Sequence, residues 1–225
     1  MKPEFVGERR PIASREWKIS QAIAGWLART GVSPNAISVA GMVCGLIAGV
    51  SLAVTSLISG WPERMFWLLG AAFVQLRLLA NMFDGMVAVE SGKTSRLGEL
   101  FNEVPDRVSD AATLIGLGYA DGGHILLGFA AALLAVFTAY VRAVGKVAGA
   151  AQEFCGPMAK QQRMFVVTVL AVWNGLTPDA WRPGWPDSPT LGLATAGLIV
   201  ICVGCVITAI RRLGRIAATL RNKTP

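Results

Sequence analysis

Charge is scarce in this chain. Asp, Glu, Lys and Arg make up 16% of its 225 residues, against 53% hydrophobic, and the mean hydropathy is +0.52. An ordinary soluble domain is about 25% charged, so the composition excludes that class. Histidine is reduced to His124, which sits in a turn and reads as a solvated loop residue. Cysteine occurs four times, and Cys202 and Cys205 form a C-x-x-C inside the apolar run "GLIVICVGCVITAI". No second ligand pair accompanies them, which argues against zinc and for small packing residues. The N-terminal "MKPEFVGERRPIASREW" has no apolar core of the kind a signal peptide needs. No aromatic-basic patch or nucleic-acid-binding motif is present, so the net charge of +7 does not point to nucleic acid. No internal repeat of the transporter kind is visible either.

What the chain has instead is long apolar runs. A bilayer-spanning helix takes about 20 mostly apolar residues, and the pattern predicts six, near 34–58, 64–89, 97–120, 125–146, 158–176 and 191–210. Together they form one all-α membrane domain over residues 31–212, between a polar tail at 1–13 and a basic tail at 213–225. Residues 14–30 place Ile19, Ile23, Trp26 and Leu27 at helical spacing beside Arg15, Lys18 and Arg29. That predicts an amphipathic helix lying in the membrane interface. Ser33 and Pro34 suit the cap and first turn of the first span. Of the 21 Lys and Arg residues, all but three fall on one face; Arg64 and Arg182 lie opposite, and Arg77 is within a span. The positive-inside rule then puts both termini in the cytoplasm of a bacterial inner membrane protein. Trp61, Trp67, Trp173, Trp181 and Trp185 read as an aromatic belt at the far interface.

Carboxylates inside such segments are costly and mark function. They gather in "LLANMFDGMVAVESGKTSRLGELFNEVPDRVSD", from Leu78 to Asp110. Arg77, Asn81, Asp84 and Ala88 are three or four residues apart, on one face of the second span. Asn102, Asp106 and Asp110 share a face of the third. A short turn joins the two spans, so both sets of oxygens converge at the cytoplasmic boundary. Hard divalent cations such as Mg²⁺ favour carboxylate and amide oxygens. Gly85, Ala88 and Gly98 leave space beside them for a bulky phosphate-bearing ligand. Arg77 is placed to pair with a carboxylate, and Asp110, one turn deeper, reads as a structural partner.

This stretch resembles the signature of the CDP-alcohol phosphotransferases, D-x-x-D-G-x-x-A-R-x8-G-x3-D-x3-D. The same frame runs Asn81, Asp84, Gly85, Ala88, Val89, Gly98, Asn102, Asp106 with every spacing kept. The "GVSPNAIS" ahead of the first span is similar to the family as well, and six spans is its usual architecture. The resemblance implies a metal-dependent phosphatidyltransferase of phospholipid synthesis. Asn81, Asp84, Asn102 and Asp106 would hold one or two divalent ions, Mg²⁺ or Mn²⁺, that grip a CDP-linked donor such as CDP-diacylglycerol. Gly85, Ala88 and Gly98 would admit the CDP moiety. Asp106 would deprotonate the acceptor hydroxyl, and CMP would leave. A homodimer among membrane lipids is the family expectation.

Three positions depart from the signature: Asn81, Asn102 and Val89. The amides keep an oxygen but lose charge, and Val89 removes an Arg. Glu103, Arg107 and Asp110 are nearby, though Glu103 points off the shared face. The departures leave three readings open: a rearranged metal site, a single-metal enzyme, or a family member without catalysis. Arg142, Lys160 and Arg163 close the fourth span and open the fifth on the same side. A basic pocket there suits a phosphorylated acceptor such as glycerol 3-phosphate or an inositol phosphate. The competing readings are a non-catalytic nucleotide-lipid binding or assembly protein, and a transporter. Clustering of the carboxylates at one membrane face disfavours transport.

Overall fold

The computed structural model describes residues 13–92, 96–182 and 192–222. Most of the polar tail at 1–13, Lys93, much of the Pro- and Trp-rich loop with Trp185, and the last three residues lie outside that range. Seven α-helices run through the described residues: α1 (Lys18–Arg29), α2 (Pro34–Val54), α3 (Trp61–Glu90), α4 (Arg96–Tyr119), α5 (Ile125–Val147), α6 (Lys160–Leu176) and α7 (Leu193–Arg221). The described fold is all-α. Four helices, α2, α3, α5 and α7, are long and apolar enough to cross a membrane. The expected count was six. Helix α4 has the length, but its Glu103, Asp106, Arg107 and Asp110 break the apolar run, and α6 has only 17 residues.

Helix α2 organises the bundle. Ser33 accepts from the Ala36 amide at 3.1 Å and Pro34 occupies the first turn, so the helix starts where its cap dictates. Beyond the cap, α2 packs along both α3 and α4. Glycine makes the approach to α4 possible. A Cβ built on Gly49 would stand 2.3 Å from the Ala112 carbonyl oxygen, and one on Gly116 2.1 Å from that of Gly49. Backbone meets backbone there, as small residues allow between bilayer helices. Helix α5 packs on α4 and α7, and α6 on α3. Trp67, Leu52, Leu114, Leu117, Leu198 and Ile201 fill the shared core. Outside it, Val50, Leu133, Phe165 and Ile210 are exposed on the helix surfaces, as lipid-facing residues are.

Three local expectations need correcting. Trp67 is not part of an interfacial belt: it is fully buried, and its indole donates to Glu63 one turn earlier at 3.3 Å. Its ring is spent on the core, whereas Trp61, Trp173 and Trp181 remain exposed or nearly so. His124 is a helix cap: its Nδ1 accepts from the Leu127 amide and starts α5. The residues after 212 are not a separate tail up to Arg221, because α7 continues through them. Ile216 buries against Val141 and Ala150, which holds the extra turns in place.

At the end of the bundle away from the polar constellation, Arg182 reaches Glu63 at 2.5 Å and also bonds the Asn174 carbonyl. Arg64 pairs with Asp179 at 3.0 Å. These contacts tie α3 to the segment after α6. At the other end, α1 lays Ser20 and Ala24 toward α3 and leaves Trp17, Ile19, Ile23 and Trp26 exposed.

Candidate active site

Four elements meet at the end of α3. Helical spacing carries Arg77, Asn81, Asp84 and Ala88 down one side of α3, and Asn102, Asp106 and Asp110 down one side of α4. Helix α2 adds Ser38 and Gly41, and the start of α6 adds Lys160 and Arg163. Ser38, Gly41, Arg77, Asn81, Asp84 and Asp106 line a small cleft. Asp84 and Asp106 therefore face the same space.

Asp106 is a hub. Asn81 donates its amide to both Asp106 oxygens at 3.1 Å and to Asn102 Oδ1 at 3.0 Å. Lys160 places its ammonium on Asp106 Oδ2, and Arg77 reaches Oδ1 at 3.3 Å. Arg107 stands 3.7 Å from Oδ2. Pro105 precedes this residue inside α4 and has no N–H to give to the preceding turn. The ladder thus lacks the bond from position 105 to the Phe101 carbonyl.

Asp84 is built differently. It is 3% exposed, and among the described residues its oxygens meet only the Ser38 hydroxyl, at 2.7 Å, and the Gly85 amide. No Lys or Arg forms a salt bridge with it there. An ionised buried carboxylate without a cation is costly. The Asp84 side of the cleft thus fits a hard divalent ion, with the Asp84 oxygens as its anionic ligand. The space beside Gly85 is open: a Cβ there would meet only Arg15 Nη2, at 3.7 Å. Ala88, Gly98 and Asn102 are half-buried around the same end.

One turn deeper, Asp110 is 1% exposed and sits between two guanidinium groups. Arg77 takes Oδ1 and Arg163 takes Oδ2 at 3.0 Å. Arg77 also donates to Ser109 Oγ at 2.9 Å and to the Asp106 carbonyl at 3.1 Å. Arg163 was expected at an acceptor phosphate. Its side chain is 2% exposed and donates to Asp110 and to the Met158 carbonyl, so it is spent inside the core. Lys160 and Arg142 stay nearer the rim. Arg142 pairs with Glu103 at 2.5 Å and lies over the Phe154 ring at 5.4 Å.

Sequence reasoning did not find Ser38, Lys160 as the partner of Asp106, or Arg15 beside Gly85. For Ser38 there was a signal: a hydroxyl in the second turn of an otherwise apolar helix needs a bonding partner. For Lys160 and Arg15, which come from other elements, spacing carried none.

The comparisons bear on this geometry. A family model described as CDP-alcohol phosphatidyltransferase matches residues 31–210. Phosphatidylinositol phosphate synthase of Streptomyces avermitilis is 29% identical over 201 residues, covering 87% of this chain and 76% of that protein. Among solved structures, the Mycobacterium tuberculosis phosphatidylinositol phosphate synthase with CDP-DAG bound superposes with a TM-score of 0.67 at 23% identity, covering 89% of this chain and 94% of that one. The same enzyme in complex with manganese and citrate also has a TM-score of 0.67, covering 88% of each chain.

Proposed function

Because this chain belongs to the CDP-alcohol phosphatidyltransferase family, we propose that it is an integral-membrane transferase that moves a phosphatidyl group from CDP-diacylglycerol to the hydroxyl of a polyol phosphate, inositol phosphate foremost, and releases CMP. The single observation that supports this most is the shared cleft: Asp84 and Asp106 face one space with the open surface of Gly85 beside it. The solved relative holds CDP-DAG in the same fold, and the Streptomyces relative is a phosphatidylinositol phosphate synthase.

In this reading the divalent cation, Mg²⁺ or Mn²⁺, sits within the frame of Asn81, Asp84, Asn102 and Asp106 with Asp84 as its anionic ligand, and Gly85, Ala88 and Gly98 admit the CDP moiety. When bound, the cation neutralises diphosphate charge and steadies the leaving CMP. Asp106 accepts the proton of the acceptor hydroxyl. The acceptor oxygen forms a bond to the phosphorus nearer the lipid, and the bond from that phosphorus to the CMP oxygen breaks with its electron pair on CMP. Lys160 and Arg142, at the rim, offer donors to the acceptor phosphate. Arg163 acts from behind, by holding Asp110, which in turn holds Arg77 against Asp106.

Six spans, with α4 and α6 crossing beside the four more apolar helices, complete the membrane domain. The distribution of Lys and Arg favours both termini in the cytoplasm, with α1 in the interface through its exposed Trp and Ile residues. Two copies form the working unit. The second reading, a nucleotide-lipid binding or assembly protein, draws on Asn81 and Asn102, which lower the charge of the frame. One assay separates them: metal-dependent CMP release by purified protein from CDP-diacylglycerol, with inositol phosphate, glycerol 3-phosphate and inositol as acceptors. Wild type releases CMP and Asp106→Ala does not. Equal silence of both across all acceptors overturns the transferase reading.

A further inference from the structure

We propose that the Lys160 ammonium occupies the role of a second metal ion, so that each chain binds one divalent cation, on the Asp84 side of the cleft. The inference rests on the transferase reading and specifies how its site is charged. The family frame has four acidic positions for two divalent ions. Here two of the four are amides, and among the described residues no three acidic, imidazole or thiol groups gather as a metal cluster.

The remaining carboxylates are not equivalent. Each oxygen of Asp106 already accepts two donors: Oδ1 from Asn81 and Arg77, and Oδ2 from Asn81 and Lys160. A carboxylate oxygen has about two lone-pair sites, so a metal ion would reach Asp106 only by displacing one of these donors. Asn102 Oδ1 is also taken by Asn81. Asn81 presents its nitrogen, not its oxygen, to these three acceptors, the opposite of what a metal ligand does. The Asp106 half of the frame is therefore assembled around N–H donors.

On the other side, Asp84 has a hydroxyl and a main-chain amide but no salt bridge among the described residues. It alone keeps a demand for a cation. Lys160 is suited to the substituted role. Its ammonium has three donors, and one is used on Asp106. Its side chain is 15% exposed, so its remaining donors are not all sealed in the core. A second metal ion in such a site does the same two things: it offsets carboxylate charge and contacts the phosphoryl oxygens.

The test is a count. Purified full-length protein is titrated with Mn²⁺ alone, and free Mn²⁺ is followed by electron paramagnetic resonance. Wild type is expected to bind one Mn²⁺ per chain, and Asp84→Asn none. The triple variant Asn81→Asp, Asn102→Asp, Lys160→Met is expected to bind two, with a spectrum broadened by exchange between adjacent ions. Two ions in wild type, or none, overturns the inference. The wild-type count decides the matter even where a variant does not fold. CMP release is measured on the same sample. One ion without CMP release from any acceptor leaves the count standing and removes the transferase reading. Release with two ions bound does the reverse.

Discussion

Replacing Asp110 by Asn tests the charge arrangement behind the cleft. The change keeps the shape and removes the one anion shared by Arg77 and Arg163, each 2% exposed. The two cations fare differently. Arg77 retains Asp106 and Ser109 as partners. Arg163 retains the Met158 carbonyl and the neutral Cys205 side chain, neither of them an anion, so it becomes the uncompensated charge. Breaking a buried ion pair by removing one partner costs about 3–5 kcal/mol, and the Asn carbonyl keeps part of the hydrogen bonding, which favours about 3 kcal/mol. For a domain of this size that corresponds to a fall in Tm of about 6–12 °C. The chain's seven tryptophans supply a fluorescence signal for the melt in detergent. Arg163→Met in the same background should restore most of the loss, because an apolar side chain of similar volume leaves no orphan charge. The double-mutant cycle then gives a large favourable coupling. A single variant melting within about 2 °C of wild type, or two effects that simply add, would refute the argument that the pair is a coupled, desolvated unit.

Three further outcomes are expected. Ser38→Ala removes the hydroxyl that holds Asp84 at 2.7 Å. A hydrogen bond to a charged group contributes about 1.5–3 kcal/mol, so CMP release should fall about 10- to 100-fold with little change in the melt. Gly116→Ala inserts a Cβ 2.1 Å from the Gly49 carbonyl oxygen. Backbone cannot repack as a side chain does, so the variant should lose about 3 kcal/mol or more, together with activity, since α2 and α4 carry Ser38 and Asp106; an unchanged melt would show that the helices do not touch there. Arg142→Ala should raise KM for a phosphorylated acceptor and leave KM for CDP-diacylglycerol unchanged, whereas Glu103→Gln, which removes only a half-exposed partner, should shift stability by less than about 1 kcal/mol.

Much of the site was legible from one dimension because helices turn local spacing into shared faces. Residues three and four apart must fall on one side, so Asn81 with Asp84, and Asn102 with Asp106 and Asp110, were set by the order of the letters alone. The cap at Ser33, the apolar runs and the clustering of carboxylates near one short turn were likewise local properties. Spacing does not say how each helix is rotated, or which neighbour it meets. Lys160 lies 54 residues from Asp106, and only the packing of α3 and α4 against α2, and of α6 against α3, brings it there. The same packing sends Arg163 inward to Asp110 and buries Trp67 against Glu63, although both looked like boundary residues in the sequence. The chain's letters thus determined which oxygens share a helix face. The fold decided which of those oxygens already have a positive partner, because in a medium with few charges and little water each carboxylate is defined by the cations, if any, that packing places within reach.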